Sequence, residues 1–243
     1  MSCSKSATGV IALGTSLVFI LLPSVGCNMM ASGQNIEGVR LLQQGQPHAA
    51  LQRFQQVATT DPTNADAYYN MAATYHRVGT QNNDKQHLEQ AETLYNQCLD
   101  LDENHIDCRR GLAVLLAETS RSDRAFNLLK NWVDSNPTSA DARIELARLY
   151  EEFGDVETAK LHLNQAIQVD GNSHRAWTAL GKIREQLGDP TQALANYQRS
   201  YGLNSFQPQV AERIAMLSRS ATRGVDVTIP GNTRIVTRPT PQF

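Results

Sequence analysis

Apolar residues recur three and four positions apart along most of the chain, in paired stretches that short polar breaks separate. One such pair runs from His174 to Gln207 and is divided by the break Gly188–Pro190. A spacing of three and four places apolar side chains on one face of a helix, and Gly and Pro favour turns. The pattern therefore predicts two amphipathic helices joined by a tight turn.

The same pattern returns upstream at intervals of about 34 residues. A small residue opens the apolar face of each second helix: Ala50, Ala91, Ala125, Ala159 and Ala193. A larger apolar residue follows one helical turn later: Phe54, Tyr95, Leu129, Leu163 and Tyr197. The interval before Ala91 is longer and contains the polar run Gly79–Asp84, which is typical of turns. We therefore expect a longer turn in the second unit, with both of its helices unchanged.

The last unit resembles the consensus of the tetratricopeptide repeat (TPR), through Trp177, Leu180, Gly181, Ala193 and Tyr197. The resemblance covers about residues 31–207, as five repeats over 31–64, 65–105, 106–139, 140–173 and 174–207. It implies an all-α solenoid, in which each repeat buries its apolar face against its neighbour. An apolar stripe then predicts a capping helix over 208–221, through Val210, Ile214 and Leu217.

The N-terminal segment has the features of an export signal. Its apolar run, Val10 to Leu22, is shorter than the roughly 20 apolar residues that span a bilayer. The following Val25-Gly26-Cys27 resembles the bacterial lipoprotein signal, although Ser24 stands where an aliphatic residue is usual. The alternatives are an ordinary signal peptide and an uncleaved anchor with an incidental cysteine.

The lipoprotein resemblance has consequences for location. It implies that residues 1–26 are removed, that Cys27 is lipidated and that 27–34 form a short tether. The membrane would then be a partner through the lipid anchor. We expect the solenoid to lie in a bacterial cell envelope, close to its membrane and facing the periplasm.

Two further cysteines lie where one repeat meets the next. Cys98 falls in the last turn of one predicted helix and Cys108 in the first turn of the following one. Disulfides persist outside the cytosol, and a bridge across a loop of this size stabilises by roughly 2–3 kcal/mol. The alternative is two buried thiols that pack as small apolar residues. His105 lies between them, but two thiols and one imidazole are an incomplete ligand set, so no metal is expected.

Composition and motifs argue against several functions. The formal net charge of −2 and the pI near 6.3 give no reason to expect nucleic-acid binding. The sequence has no Gly-x-Ser-x-Gly elbow, no phosphate-binding glycine-rich loop and no His-Glu-x-x-His pair. Its six histidines are scattered. We therefore expect neither an enzyme nor a cofactor.

In TPR proteins the first helices line a concave groove that holds a peptide or helix of a partner protein. The repeat register carries this groove onto Tyr69, Arg77, Arg110, Arg148 and Lys182. Arg110, Arg148 and Lys182 lie on successive first helices, and such a row is able to pair with ligand carboxylates. The alternative is that these charges only solvate the surface.

The expected function is that of a membrane-anchored scaffold that recruits or positions a partner in an envelope assembly. Similar bacterial TPR lipoproteins act as pilotins for pilus secretins or as adaptors for cell-wall hydrolases. The alternatives are a non-catalytic subunit of an envelope enzyme complex and a soluble secreted TPR protein. The tail over 222–243 is expected to be flexible, although Val225–Thr237 also has the alternation of strands that pair with a partner's sheet.

Overall fold

The computed structural model describes residues 25–228, with side chains described over 33–220. That part of the chain is all-α and contains no strand. The helices in chain order are α1 (Val25–Gln43), α2 (Pro47–Thr60), α3 (Ala65–Asn82), α4 (Lys85–Leu101), α5 (Ile106–Glu118), α6 (Ser122–Ser135), α7 (Ala140–Glu152), α8 (Val156–Val169), α9 (His174–Gln186), α10 (Pro190–Leu203) and α11 (Pro208–Thr228). The prediction of an all-α solenoid of helix pairs is confirmed.

The helices pack as five pairs, from α1 with α2 to α9 with α10, and each pair packs on the next. Successive first helices also contact one another, in the order α1, α3, α5, α7 and α9. Because the first helices approach one another directly, they form the inner side of the curved stack. The second helices form its outer side, and α11 packs on α10 at the end.

The interior of each pair depends on matching a small residue with a large one. The five alanines at the start of the second-helix face are all fully buried. Gly181 faces Tyr197 so closely that an added Cβ would lie 2.8 Å from the ring. At the same register in the preceding repeat, Ala147 shares a core with Leu163. A larger residue on the second helix is therefore matched by a smaller one on the first.

The turns within pairs need a left-handed backbone. Gly45, Gly154 and Gly188 adopt positive φ there, at 74°, 81° and 78°. Glycine adopts this conformation without steric cost, which explains its recurrence at these turns. Ser120 occupies the corresponding turn of the third repeat with φ of 62°. The first helices then begin at side-chain caps, among them Asn64, Ser139 and Ser173.

The prediction of a long turn in the second repeat is wrong. The additional residues lengthen both helices, so that α3 has 18 residues and α4 has 17. Only Asn83 and Asp84 form the turn, with Asn83 left-handed at φ 52° and Asp84 accepting from Gln86 N and His87 N. These two caps satisfy the helix ends locally, and Gly79 allows close packing against Leu88.

The helices at both ends extend beyond their predicted limits. α1 already begins at Val25, so residues 27–34 are helical where we expected a tether. α11 continues to Thr228, so residues 222–228 are helical where we expected a flexible or strand-forming tail. Extending an existing helix costs less than nucleating a hairpin, which is marginal alone. Residues 1–24, which include most of the predicted export signal, and residues 229–243 lie outside the described residues.

No helix in the described range 25–228 combines the length and apolar character that crossing a bilayer requires.

Candidate functional site: the inner cleft

A cleft of about 330 Å³ opens on the inner side of the solenoid. We call it the inner cleft; its lining comes mainly from the first helices α7 and α9, with Arg110 from α5. Its floor is apolar and includes Ile144, Ala147 and Leu163. Four cationic side chains and two carboxylates surround that floor, and Asp107 and Asp141 pair with two of the cations from outside it. The arrangement suits an apolar side chain with acidic groups beside it.

A buried carboxylate holds the walls of the inner cleft together. Glu145 on α7 is only 2% exposed. Arg110 of α5 donates to it in a bidentate arrangement, with Nε to Oε2 at 2.8 Å and Nη2 to Oε1 at 2.5 Å. Arg175 of α9 donates to Glu145 from the other side and also pairs with Asp141. One carboxylate therefore connects three successive first helices.

This cluster changes the role of Arg110. The hydrogen bond to Glu145 raises the pKa of Arg110 above its ordinary value. Its Nη1 also donates to Asp107 at 2.7 Å. Arg110 does line the inner cleft, but its guanidinium is engaged in the fold and is not a free partner for a ligand.

Arg148 is the more available cation. It is exposed on α7, and no hydrogen-bond or ion-pair partner is found for it among the described side chains. It lines both the inner cleft and a small neighbouring depression beside Val114 and Glu152. A ligand carboxylate could thus reach it without breaking an existing pair.

Lys182 lies where the inner cleft meets a second cleft. Its Nζ is 2.8 Å from Glu151, and its side chain remains 61% exposed. The second cleft, about 550 Å³, lies between α9 and α11 and includes Tyr197, Val210 and Arg213. Arg213 of α11 pairs with Glu185 of α9 across this space. Together the two clefts form a continuous inner surface along the fourth and fifth repeats.

The structure separates the other two predicted groove residues from this surface. Arg77 is exposed but lines a different cleft, with Leu42 and Pro47 at the first turn. Tyr69 packs against His105, with ring centroids 5.4 Å apart. Burial raises the pKa of Tyr69, and the negative charge of Asp107 adds to that effect. Two of the five predicted groove residues therefore lie away from the inner cleft, whereas Arg110, Arg148 and Lys182 line it.

Sequence reasoning missed Glu145 and Arg175, although the repeat register carried a signal for each. Glu145 stands where the adjacent repeats have Gly111 and Ala179, so an acid replaces a small residue. Arg175 stands where the preceding repeats have Asp107 and Asp141. Glu145 thus places an acid where a small residue is usual, and Arg175 places a base where an acid is usual. Together the two changes supply the opposite charges of an ion-pair cluster between repeats.

The structure joins Cys98 and Cys108 as a disulfide between α4 and α5, with Cα atoms 6.6 Å apart. Both residues are fully buried. The side chain of Cys27, the predicted lipidation site, lies outside the described side chains.

Family comparisons agree with this architecture. Models described as tetratricopeptide repeat match residues 116–183 and 174–206, and one described as TPR repeat matches 38–79. The chain belongs to the tetratricopeptide repeat family.

Among its relatives, human protein O-mannosyl-transferase TMTC3 is 25% identical over 164 residues, which is 64% of this chain and 18% of that protein. An uncharacterized protein of Haemophilus influenzae is 33% identical over 76 residues, which is 31% of this chain and 42% of the relative. The chain spans less than half the length of these curated relatives.

Two solved structures share the fold. TTC0263, a thermophilic TPR protein of Thermus thermophilus, superposes with a TM-score of 0.57 at 20% identity, covering 77% of this chain and 98% of that one. PilF of Pseudomonas aeruginosa gives a TM-score of 0.50 at 14% identity, covering 85% of this chain and 95% of that one. At these identities the likeness is one of fold.

Proposed function

We propose that this chain is a non-catalytic scaffold that binds an acidic segment of a partner protein in the inner cleft. The observation that carries the proposal is the exposed Arg148, which has no partner among the described side chains, beside an apolar floor. TPR solenoids bind proteins and peptides, so the fold supports a binding role. Arg148, a cation without a partner among the described side chains, then supports an acidic ligand.

The chemistry of the cleft suggests how such a segment is held. An apolar side chain of the ligand would cover Ile144 and Ala147, and a carboxylate would pair with Arg148. A charge-assisted contact contributes roughly 1.5–3 kcal/mol when partly desolvated and much less at an exposed rim. The continuity with the second cleft allows a segment of more than one helical turn to lie along both.

Partner capture by the full chain tests this proposal. We expect Arg148→Glu to weaken capture at least tenfold and to leave helicity unchanged, because Arg148 has no partner among the described side chains. Capture by the parent should also weaken with salt. The matched control is Arg199→Glu, which reverses another exposed arginine, on the outer helix α10, for which the described part of the chain likewise shows no partner. Equal losses in the two variants would exclude a specific role for the inner cleft.

The proposed location is a bacterial envelope, with a lipid on Cys27 as the membrane anchor. The support is the Val25-Gly26-Cys27 sequence after an apolar run too short to span a bilayer. Replacing Cys27 by Ser should block processing or release the protein from membranes. Fractionation and electrophoretic mobility identical to those of the parent would contradict the proposal.

Within an envelope assembly, the scaffold would either position a secretin, as pilotins do, or deliver a cell-wall hydrolase to its site. These two roles predict different captured proteins, namely an outer-membrane channel subunit or a hydrolase. Mass spectrometry should identify the proteins that the parent captures and Arg148→Glu does not, and their identity distinguishes the two roles.

A further inference from the structure

The joint between the second and third repeats departs from the repeat pattern of the chain at two positions, Cys108 and His105. Cys108 stands where the other repeats have Ala67, Ala142 and Ala176. His105 caps α5 by accepting from Cys108 N, where Asn64, Ser139 and Ser173 cap the equivalent helices. Cys98 stands at a variable position, occupied elsewhere by Val57, Trp132, Ala166 and Ser200. Neither a cap nor a packing position requires these residue types.

These three residues lie together, because Cys98 and Cys108 are joined as a disulfide and His105 lies beside them. The candidate ligand atoms of Cys98, His105 and Cys108 lie within 4.8 Å of one another. Both cysteines are fully buried, and the side chain of His105 is only 11% exposed. Thiolate and imidazole are the ligands that Zn²⁺ prefers in proteins, and three of them leave a fourth position for water.

The second nitrogen of His105 is also held. Its Nε2 lies 3.1 Å from Oδ1 of Asp66, on the preceding first helix. Metal-binding histidines almost always donate their other N–H to a carboxylate or carbonyl, which fixes the tautomer and raises ligand basicity. Here the contact leaves Nδ1 facing the cysteine side of the ring, where it accepts from Cys108 N.

We propose that Cys98, His105 and Cys108 form a redox-gated zinc site, closed when the disulfide is present and competent when it is reduced. Reduction takes up two electrons and two protons, and a dithiol supplies both as it becomes a disulfide. Zn²⁺ then binds two thiolates and the neutral imidazole, and two thiol protons pass to solvent. His105 Nδ1 gives up the hydrogen bond that it accepts from Cys108 N and binds the metal instead.

Cobalt binding to the full chain tests this site. The protein is reduced with dithiothreitol, freed of reductant without oxygen and titrated with Co²⁺. We expect one Co²⁺ per chain, with intense thiolate-to-cobalt charge-transfer absorption that Zn²⁺ abolishes on displacing cobalt. The oxidised chain should show no such absorption, and neither should Cys108→Ser.

Two variants separate the metal site from the fold. His105→Asn keeps an N-cap acceptor, as Asn64 does on α3, but removes the imidazole. It should weaken Co²⁺ binding at least tenfold while helicity stays unchanged. Asp66→Asn, whose parent side chain is 73% exposed, should weaken binding by about tenfold or more.

Three results would overturn the proposal. The first is a reduced, folded chain with two free thiols and no charge-transfer absorption. The second is equal metal binding by the oxidised chain. The third is unchanged affinity in His105→Asn, which would show that the imidazole is not a ligand.

Discussion

Two joints between repeats have different chemistry. At the first, the disulfide Cys98–Cys108 connects α4 to α5 inside a continuous apolar core that extends from Ala50 to Leu149. At the second, Glu145 and its two arginines connect α5, α7 and α9 beside the inner cleft. Both cysteines of the first joint are buried, whereas the second joint presents charged groups to an open surface. One repeat pattern therefore accommodates a structural joint and a joint suited to binding.

The largest effect is expected at the ion-pair joint. Glu145→Ala leaves Arg110 and Arg175 without their shared acceptor, in side chains that are 28% and 32% exposed. Removing one partner of a fully buried ion pair costs about 3–5 kcal/mol, and the partial exposure here places the loss near the lower end. Urea unfolding of the parent and the variant measures this loss in the free energy of unfolding.

The control for that variant is Asp141→Asn, at the rim of the same cluster, where Asp141 is 39% exposed. It should cost less than about 1 kcal/mol. Similar losses in the two variants would mean that burial does not distinguish Glu145 from the rim.

A somewhat smaller effect is expected at the disulfide joint. Reduction should lower the free energy of unfolding by about 2–3 kcal/mol, because the bridge closes a short loop with a sequence separation of 10. The comparison is made between oxidised and reduced protein in metal-free buffer. Cys98→Ala/Cys108→Ala, which keeps small apolar groups, should not respond to reductant. If reductant also lowers the free energy of unfolding of that variant, the effect does not come from the Cys98–Cys108 bridge.

Packing within a pair is tested at Gly181. Gly181→Ala should destabilise by about 1–3 kcal/mol, because the new Cβ would lie 2.8 Å from the Tyr197 ring, which a hydrogen bond to Glu185 holds in place. Adding Tyr197→Leu recreates the Ala147–Leu163 pair of the preceding repeat. The double variant should therefore lose less than the sum of the two single losses. Strict additivity would contradict the matching of small and large residues.

The smallest effect concerns pH. Burial lowers the pKa of His162 below its ordinary value, and the charges of Arg143 and Lys130 lower it further, while a hydrogen bond with Gln165 opposes them. As pH falls below about 6.5, the unfolded chain binds the proton before the folded chain does. The contribution of His162 to the free energy of unfolding is therefore fully present above that pH and is lost as pH falls further. His162→Gln should flatten the dependence of stability on pH between about 5 and 7. If the slope of stability against pH is unchanged in this variant, other groups cause the pH dependence.

The sequence predicted the parts of the fold that repetition controls. The buried alanines, from Ala50 to Ala193, and their larger partners follow one register, so the helix pairs could be placed from spacing alone. The second-repeat turn could not, because Gly79–Asn82 has turn-forming residues that tertiary packing nevertheless holds in a helix. Local composition is a weaker determinant there than the caps Asn83 and Asp84.

The candidate site was only partly predictable for a related reason. Register placed Arg110, Arg148 and Lys182 on the inner side, and the structure brings all three to the inner cleft. The register did not show which of these cations is already paired, since Arg110 and its partner Glu145 are 35 residues apart. Ion pairs between repeats depend on side-chain geometry that periodicity does not specify.

The most direct test of the central claim places a photoreactive side chain at position 148, with a matched probe at position 199 on the outer surface. Irradiation of cells that make the full chain should link a partner segment to position 148 and leave position 199 without that adduct. Mass spectrometry should map the crosslink to a segment with acidic residues. Equal linking of one segment at both positions, or no link at position 148, would show that the inner cleft does not bind the partner.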